Sequence, residues 1–222
     1  MILCIGEVLA ADRLAAFRER LTGLSFVDGA ATAGWHARLV KRNRQAPSGA
    51  ETKELQAELA ETLARHELFQ MACRPRRMRP ILFSRYEPGM EYGTHVDDAL
   101  MGGADPVRSD LSFTLFLSPP ESYDGGELVV ESTAGEQAFK LPAGSLVLYP
   151  SSTLHRVAPV TRGERLAAVS WVQSQVRDPG GREILFDLDT ARRTLFQREG
   201  KTREFDLLSK SLANLLRLWA EV

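Results

Sequence analysis

Pro142-Ala143-Gly144-Ser145-Leu146-Val147-Leu148-Tyr149-Pro150, then His155-Arg156-Val157-Ala158-Pro159-Val160-Thr161-Arg162-Gly163-Glu164-Arg165-Leu166-Ala167-Ala168-Val169-Ser170-Trp171-Val172-Gln173, is the stretch that decides the fold. Its apolar runs are too short for helices, rich in β-branched and aromatic residues, and cut by Pro and Gly at each end. Such runs read as strands joined by turns. The same texture extends back to Pro80, and the candidate strands are 81–86, 111–117, 127–131, 137–141, 145–149, 155–160 and 165–173. With Asp124-Gly125-Gly126 and Pro142-Ala143-Gly144 as turns, this pattern predicts an antiparallel double-sheet jelly roll, whose two sheets leave a mouth between them.

Helical periodicity takes over on both sides. Ser48 and Glu51 have the spacing of a capping box for a helix of about 20 residues, with Leu55, Leu59 and Leu63 on one face and His66 continuing that stripe. Near the other end Leu208, Leu212, Leu215, Leu216 and Trp219 form a second stripe. The expected organisation is mainly β with flanking helices: a helical N-terminal support over residues 1–79, the β domain over 80–175 and a C-terminal helical extension over 176–222. Burying the last stripe requires either the barrel or a second copy of the chain, so homo-oligomerisation through the C-terminal helices stays open.

Composition narrows the setting. A chain of 222 residues with 44% hydrophobic and 26% charged residues has ordinary globular proportions, and a formal net charge of −1 offers no general attraction to nucleic acid or anionic lipid. Neither a nucleic-acid nor a membrane partner is expected. Cys4 and Cys73 lack metal-ligand spacing and suggest a reducing, cytoplasmic setting. The N-terminus has no basic, apolar leader, and no run approaches the ~18 apolar residues of a membrane helix.

The chemistry lies in the β region. In His95-Val96-Asp97, residues two apart on an extended segment point to one side and can converge on one ion. His155 opens a later strand and can complete two imidazoles and a carboxylate, the facial set of non-haem Fe(II) oxygenases, which leaves three positions open. Zinc is permitted but not preferred, since it favours a tetrahedral site. Ten residues after His155, Arg165 offers the planar fork that grips the far carboxylate of a keto acid such as 2-oxoglutarate. For both to serve one site, a hairpin over 160–165 must have an odd-length loop or a bulge. Ala167, Val169 and Trp171 then share Arg165's face. Asp98 is a candidate hydrogen-bond partner for a ligand imidazole, or simply an exposed carboxylate, and His36 beside Trp35 faces either substrate or solvent. Gly125 and Gly126 are explained by turn geometry.

Arg85-Tyr86, Tyr92-Gly93-Thr94-His95-Val96-Asp97, Asp110-Leu111-Ser112, Thr114-Leu115-Phe116-Leu117-Ser118, Ser122-Tyr123-Asp124-Gly125-Gly126-Glu127-Leu128, Leu141-Pro142-Ala143-Gly144, Tyr149-Pro150-Ser151-Ser152-Thr153-Leu154-His155 and Pro159-Val160-Thr161-Arg162-Gly163-Glu164-Arg165 together closely resemble the bacterial PKHD-type hydroxylases. The likeness extends to Val40-Lys41-Arg42-Asn43 and the helical tail. It implies a double-stranded β-helix, Fe(II) on His95, Asp97 and His155, 2-oxoglutarate on Arg165, stimulation by ascorbate, and O2 and an unidentified substrate as partners. Succinate and CO2 would be released. The resemblance suggests a prolyl or lysyl side chain, or a small iron-related metabolite, as the group hydroxylated. Related animal prolyl hydroxylases add tyrosines to the cosubstrate pocket; Tyr86 matches one, but Phe116 stands near the other and cannot donate a hydrogen bond. Two rivals are a non-catalytic jelly-roll sensor of metal or 2-oxoglutarate, which leaves Arg165 unexplained, and a zinc hydrolase, for which no general base is evident.

Overall fold

The structure, a computed structural model, describes residues 1–221. All its strand pairs are antiparallel, and most belong to two sheets that face each other. The eight-stranded sheet runs in the order Leu3–Ile5, Leu146–Pro150, Leu111–Phe116, Arg165–Ser174, Leu82–Tyr86, Arg44–Gln45, Val27–Asp28, with Pro75–Met78 also paired to Arg165–Ser174. A five-stranded sheet runs Gly135–Phe139, Leu128–Ser132, His155–Val157, Glu91–His95, Lys41–Arg42. Between them Phe116, Val147 and Tyr149 of the larger meet Leu128 and Val130 of the smaller. This is the jelly roll that the alternating runs predict.

Residues 1–79 are more than a helical support. They hold α1 (Ala11–Thr22), α2 (Ala50–Arg65) and α3 (Glu67–Cys73), but also give strands to both sheets. The helices cover the outer face of the larger sheet, where Phe17 meets Phe83 edge-on at 5.5 Å and Phe69 meets Phe113 at 5.8 Å. Leu55, Leu59 and Leu63 are fully buried, as their spacing requires. Two local expectations fail here. The predicted capping box does not form: Gly49 is the N-cap without a side-chain bond, and Glu51 pairs instead with Arg20 of α1. Burying three leucines contributes roughly 1.5–3 kcal/mol each, which outweighs the ~1 kcal/mol of a missing cap. His66 does not continue the stripe either; its extended backbone ends α2, and its Nδ1 accepts the Phe69 amide at 3.4 Å to start α3.

The C-terminal extension is a helical pair, α4 (Pro179–Glu199) and α5 (Arg203–Trp219). Asp178 caps α4 by accepting from the Gly181 amide, and Thr202 caps α5 by accepting from Phe205 at 3.2 Å. Leu212, Leu215, Leu216 and Trp219 pack with Leu185, Leu188 and Val176. Within the chain Leu212 is buried, while Leu215, Leu216 and Trp219 are partly buried. No helix among the described residues is long and apolar enough to cross a membrane.

The segment joining His155 to Arg165 corrects the expected hairpin. His155–Val157 lies in the smaller sheet and Arg165–Ser174 in the larger, while Val160–Gly163 crosses between them, pairing with Tyr123–Gly125. Pro159 has no amide hydrogen to extend a ladder, and Gly163 turns the chain at φ 73°. The two residues therefore face a shared interior from opposite sheets, and loop parity does not govern them. The alternation along the Arg165 strand does hold. Arg165, Ala167, Val169 and Trp171 share a face with Tyr86, Ser84 and Leu82 on one neighbour and Phe116, Thr114 and Ser112 on the other. Leu166, Ala168 and Val172 point outward into the helix-covered core.

Gly163 is the sensitive point of that crossing, because a Cβ there would lie 2.1 Å from the Ser122 carbonyl oxygen in a backbone region unfavourable to L side chains. Gly163→Ala is expected to destabilise the chain by at least about 2 kcal/mol in urea unfolding. Gly6→Ala, where nothing lies within 4 Å, should change stability by less than about 0.5 kcal/mol. Equal effects at the two sites would show that the crossing tolerates a side chain.

Candidate metal centre and cosubstrate pocket

His95 ends the Glu91–His95 strand, Asp97 follows two residues later, and His155 is paired with His95 across the ladder. One ligand atom from each lies within 4.8 Å of the others, with His155 Nε2 3.8 Å from Asp97 Oδ2 and the imidazole centroids 4.3 Å apart. The surroundings orient these groups. His95 Nδ1 is 2.9 Å from the Gly93 carbonyl oxygen and His155 Nδ1 is 3.1 Å from that of Thr153. Since a carbonyl only accepts, each Nδ1 carries the proton and each Nε2 keeps its lone pair free. Ser112 donates to Asp97 Oδ2 at 2.6 Å and is 2.7 Å from the Ser151 hydroxyl. Burial, with the nearby His155 charge, pushes the His95 pKa down to about 4. The ring is therefore neutral near pH 7, as a metal ligand must be.

A cavity of ≈ 520 Å³ opens over this cluster and is lined by Tyr86, Ser112, Thr114, Tyr149 and Val169 among others. Arg165 stands behind the wall that Tyr86 forms. It is 1% exposed, its guanidinium 5.2 Å from the Tyr86 ring centroid and 5.4 Å from that of Phe116. Its Nε and Nη2 have no hydrogen-bond partner, and among the described residues no carboxylate lies within 4.0 Å of it. Gly126 makes room, since a Cβ there would come within 2.9 Å of Arg165 Cδ. Tyr123, whose buried hydroxyl also lacks a partner, sits beside the guanidinium and was not singled out from sequence as a pocket residue. It stands close to where Phe116 offers no donor. Burial raises the Tyr86, Tyr123 and Tyr149 hydroxyl pKa values, so all three are protonated and able to donate. The cavity thus sets three side chains able to hold a metal ion near a buried cation behind the Tyr86 wall, an arrangement that would suit a keto acid chelating at one end and carrying a carboxylate at the other.

The remaining candidates resolve as follows. Asp98 is no partner of a ligand imidazole, because both Nδ1 atoms are taken by carbonyls. Its side chain is 50% exposed and lies 4.0 Å from His36 Nε2. His36 and the exposed Trp35 belong to a segment whose Ala33, Gly34 and Ala37 line the cavity, so they sit at its rim. Tyr92, stacked on His95 at 3.7 Å, and Ser112 were missed as site residues. Nothing in their sequence positions signals these contacts; only the fold brings Ser112 up to Asp97, 15 residues away.

Comparison with known proteins agrees with this geometry. Residues 81–173 match the 2OG-Fe(II) oxygenase superfamily and residues 180–221 the PKHD-type hydroxylase C-terminal domain. PKHD-type hydroxylases of Synechococcus sp. (strain JA-3-3Ab) and Gloeothece citriformis are 61% and 57% identical, each over 100% of both chains. Among solved structures, a Pseudomonas putida prolyl-4-hydroxylase has a TM-score of 0.54 at 22% identity, covering 78% of this chain and 92% of that one. HygX of Streptomyces hygroscopicus, solved with nickel and 2-oxoglutarate bound, has a TM-score of 0.56 at 16% identity, covering 78% and 82%. These two share the fold. With full-length relatives at such identity, the chain belongs to the PKHD-type hydroxylases, 2-oxoglutarate-dependent dioxygenases of the 2OG-Fe(II) oxygenase superfamily.

Proposed function

We propose that His95, Asp97 and His155 hold the Fe(II) ion and that Arg165 anchors the far carboxylate of 2-oxoglutarate. A substrate C–H bond is then hydroxylated in the cavity between the sheets, as 2-oxoglutarate and O2 give succinate and CO2. The observation that carries this reading is the state of Arg165. A guanidinium removed from water without a carboxylate partner is costly, and an incoming carboxylate can form two parallel charge-assisted hydrogen bonds with it.

Bound Fe(II) supplies the O2 chemistry that side chains lack. The protein's contribution is orientation and dryness. The Gly93 and Thr153 carbonyls hold both imidazoles with Nε2 inward, and the Ser112 hydroxyl fixes Asp97. Tyr86 and Tyr123 stand next to the guanidinium and complete a polar seat for the carboxylate. Leu128, Val157 and Val169 provide apolar wall that limits water. Stimulation by ascorbate belongs to the same reading, since a site formed by His95, Asp97 and His155 would need its Fe(II) kept reduced by an external reductant. A cytoplasmic setting is supported by Cys4 and Cys73, both free thiols. The prolyl-hydroxylase neighbours support testing a prolyl group, beside the lysyl side chain and the small iron-related metabolite that the family resemblance suggests. Mass spectrometry comparing products of wild type and His95→Ala should reveal the gain of one oxygen atom.

Two variants separate the roles. His155→Ala is expected to lower succinate formation at least ~10³-fold while the circular dichroism spectrum is unchanged, because two ligands hold the metal poorly. Full turnover by this variant at low Fe(II) would remove His155 from the site. Arg165→Lys should raise KM for 2-oxoglutarate roughly 10–100-fold, through loss of the bidentate grip, with Fe(II) affinity nearly unchanged. An unaltered KM would defeat the assignment of Arg165.

A further inference from the structure

Arg165, behind the Tyr86 wall of the cavity, is not the only buried cation near the metal-ligand cluster without a carboxylate partner. Residues 41–45 form one extended segment that joins the sheets: Lys41–Arg42 pairs with Glu91–His95 of the smaller, and Arg44–Gln45 pairs with Leu82–Tyr86 of the larger. Arg42 and Arg44 point to solvent, while Lys41, Asn43 and Gln45, at 8%, 4% and 3% exposure, point inward and line the cavity. Three polar side chains in a row on the buried face of a strand reverse the usual pattern.

Their hydrogen bonding is incomplete. Lys41 Nζ donates to Thr32 Oγ1 at 2.9 Å, and Thr32 in turn donates to Gln45 Oε1 at 2.6 Å. Nζ also lies 5.1 Å from the Tyr92 ring centroid. Among the described residues no carboxylate comes within 4.0 Å of Nζ. Gln45 Nε2 and both polar atoms of the Asn43 side chain are buried without a partner, although Asn43 lies next to the Tyr86 hydroxyl. Burial, opposed by the more distant charges of Asp97 and Asp28, pulls the Lys41 pKa down to about 8, so the ammonium still predominates near neutrality. A neutral hydroxyl and a ring face do not replace the water this charge has lost, and nearby unpartnered amides add to the deficit.

We propose that Lys41, Asn43 and Gln45 form a second anion subsite, separate from Arg165, which receives a carboxylate carried by a metabolite-sized substrate. This rests on Arg165 being the anchor of 2-oxoglutarate. The two cations stand apart: Lys41 lines the cavity with its Nζ 5.1 Å from the Tyr92 ring, whereas Arg165 lies behind the wall with its guanidinium 5.2 Å from the Tyr86 ring and 5.4 Å from that of Phe116. One cation per carboxylate then leaves Lys41 for the substrate. The Asn43 and Gln45 amides hydrogen-bond the atoms beside that carboxylate. Enclosure under the 31–37 segment, in a cavity of ≈ 520 Å³, favours a small acid over a residue within a folded protein.

The test uses the full chain loaded with Mn(II) and saturating 2-oxoglutarate, with ¹³C-labelled acetate and its neutral isostere acetamide as probes, read by Mn(II)-enhanced ¹³C relaxation. Acetate is expected to show saturable enhancement and acetamide to bind at least about tenfold more weakly. Lys41→Met should weaken acetate at least about tenfold, Lys41→Arg should retain it, and 2-oxoglutarate affinity should stay within about twofold in both. If Lys41→Met does not fold, Gln45→Glu, which places a negative charge in the subsite, should produce the same loss. The proposal is overturned if wild type binds neither probe or both alike, if acetate binding survives in these variants, or if Lys41→Met loses 2-oxoglutarate instead. Failure of wild type to bind Mn(II) and 2-oxoglutarate at all would overturn the Arg165 reading first.

Discussion

Packing of α1, α2 and α3 against the outer face of the larger sheet is the contact on which the site depends. Leu111, Phe113 and Leu115 commit their side chains to that helix-backed core, as do Leu166, Ala168 and Val172 on the adjacent strand. Because a strand has two faces, this leaves Ser112, Thr114, Phe116 and Arg165 to look inward. Apolar burial on one side therefore holds rigidly in place a polar set that could not stabilise itself.

That polar set is unusual in what it leaves unsatisfied. Most buried cations in proteins meet a carboxylate, but Arg165 lies among the rings of Tyr86 and Phe116, and Lys41 meets a threonine hydroxyl and the face of Tyr92. By contrast, Arg74 and Asp189, outside the cavity and both largely buried, are within ion-pair distance of each other at 3.7 Å. The fold is thus able to pair buried charges where no ligand is needed. Arg165 and Lys41 differ in having no carboxylate within 4.0 Å among the described residues.

Several local expectations give way to tertiary contacts for identifiable reasons. Ser48 and Glu51 have capping-box spacing, yet Glu51 is drawn to Arg20 on α1, a partner separated by 31 residues. The stripe of α2 stops at His66, whose extended backbone and side chain cap α3, the helix that packs Phe69 against Phe113. The hairpin expected over 160–165 is replaced by a crossing between sheets, since Val160–Gly163 finds its hydrogen bonds with Tyr123–Gly125. Asp98, next in sequence to Asp97, lies at the cavity edge near Gly34 and 4.0 Å from His36 Nε2, away from both imidazole Nδ1 atoms.

The cluster of His95, Asp97 and His155 could be proposed from the sequence because chemistry restricts the choice: only certain side chains can bind Fe(II), and His95-x-Asp97 needs only the pleat to converge. The β domain was legible for a similar reason, as period-two apolar runs between turns encode one buried face wherever the strand is placed. Lys41, Asn43 and Gln45 were not read as a site, because a segment polar on both faces gives no hydrophobic period to mark it as a strand or to say which side is buried. Tyr123 beside Arg165 and Ser112 beside Asp97 were equally hidden. Those neighbours are set by which strands pair and which sheets face each other, and such long-range choices follow from the burial of the whole chain, not from any local run of residues.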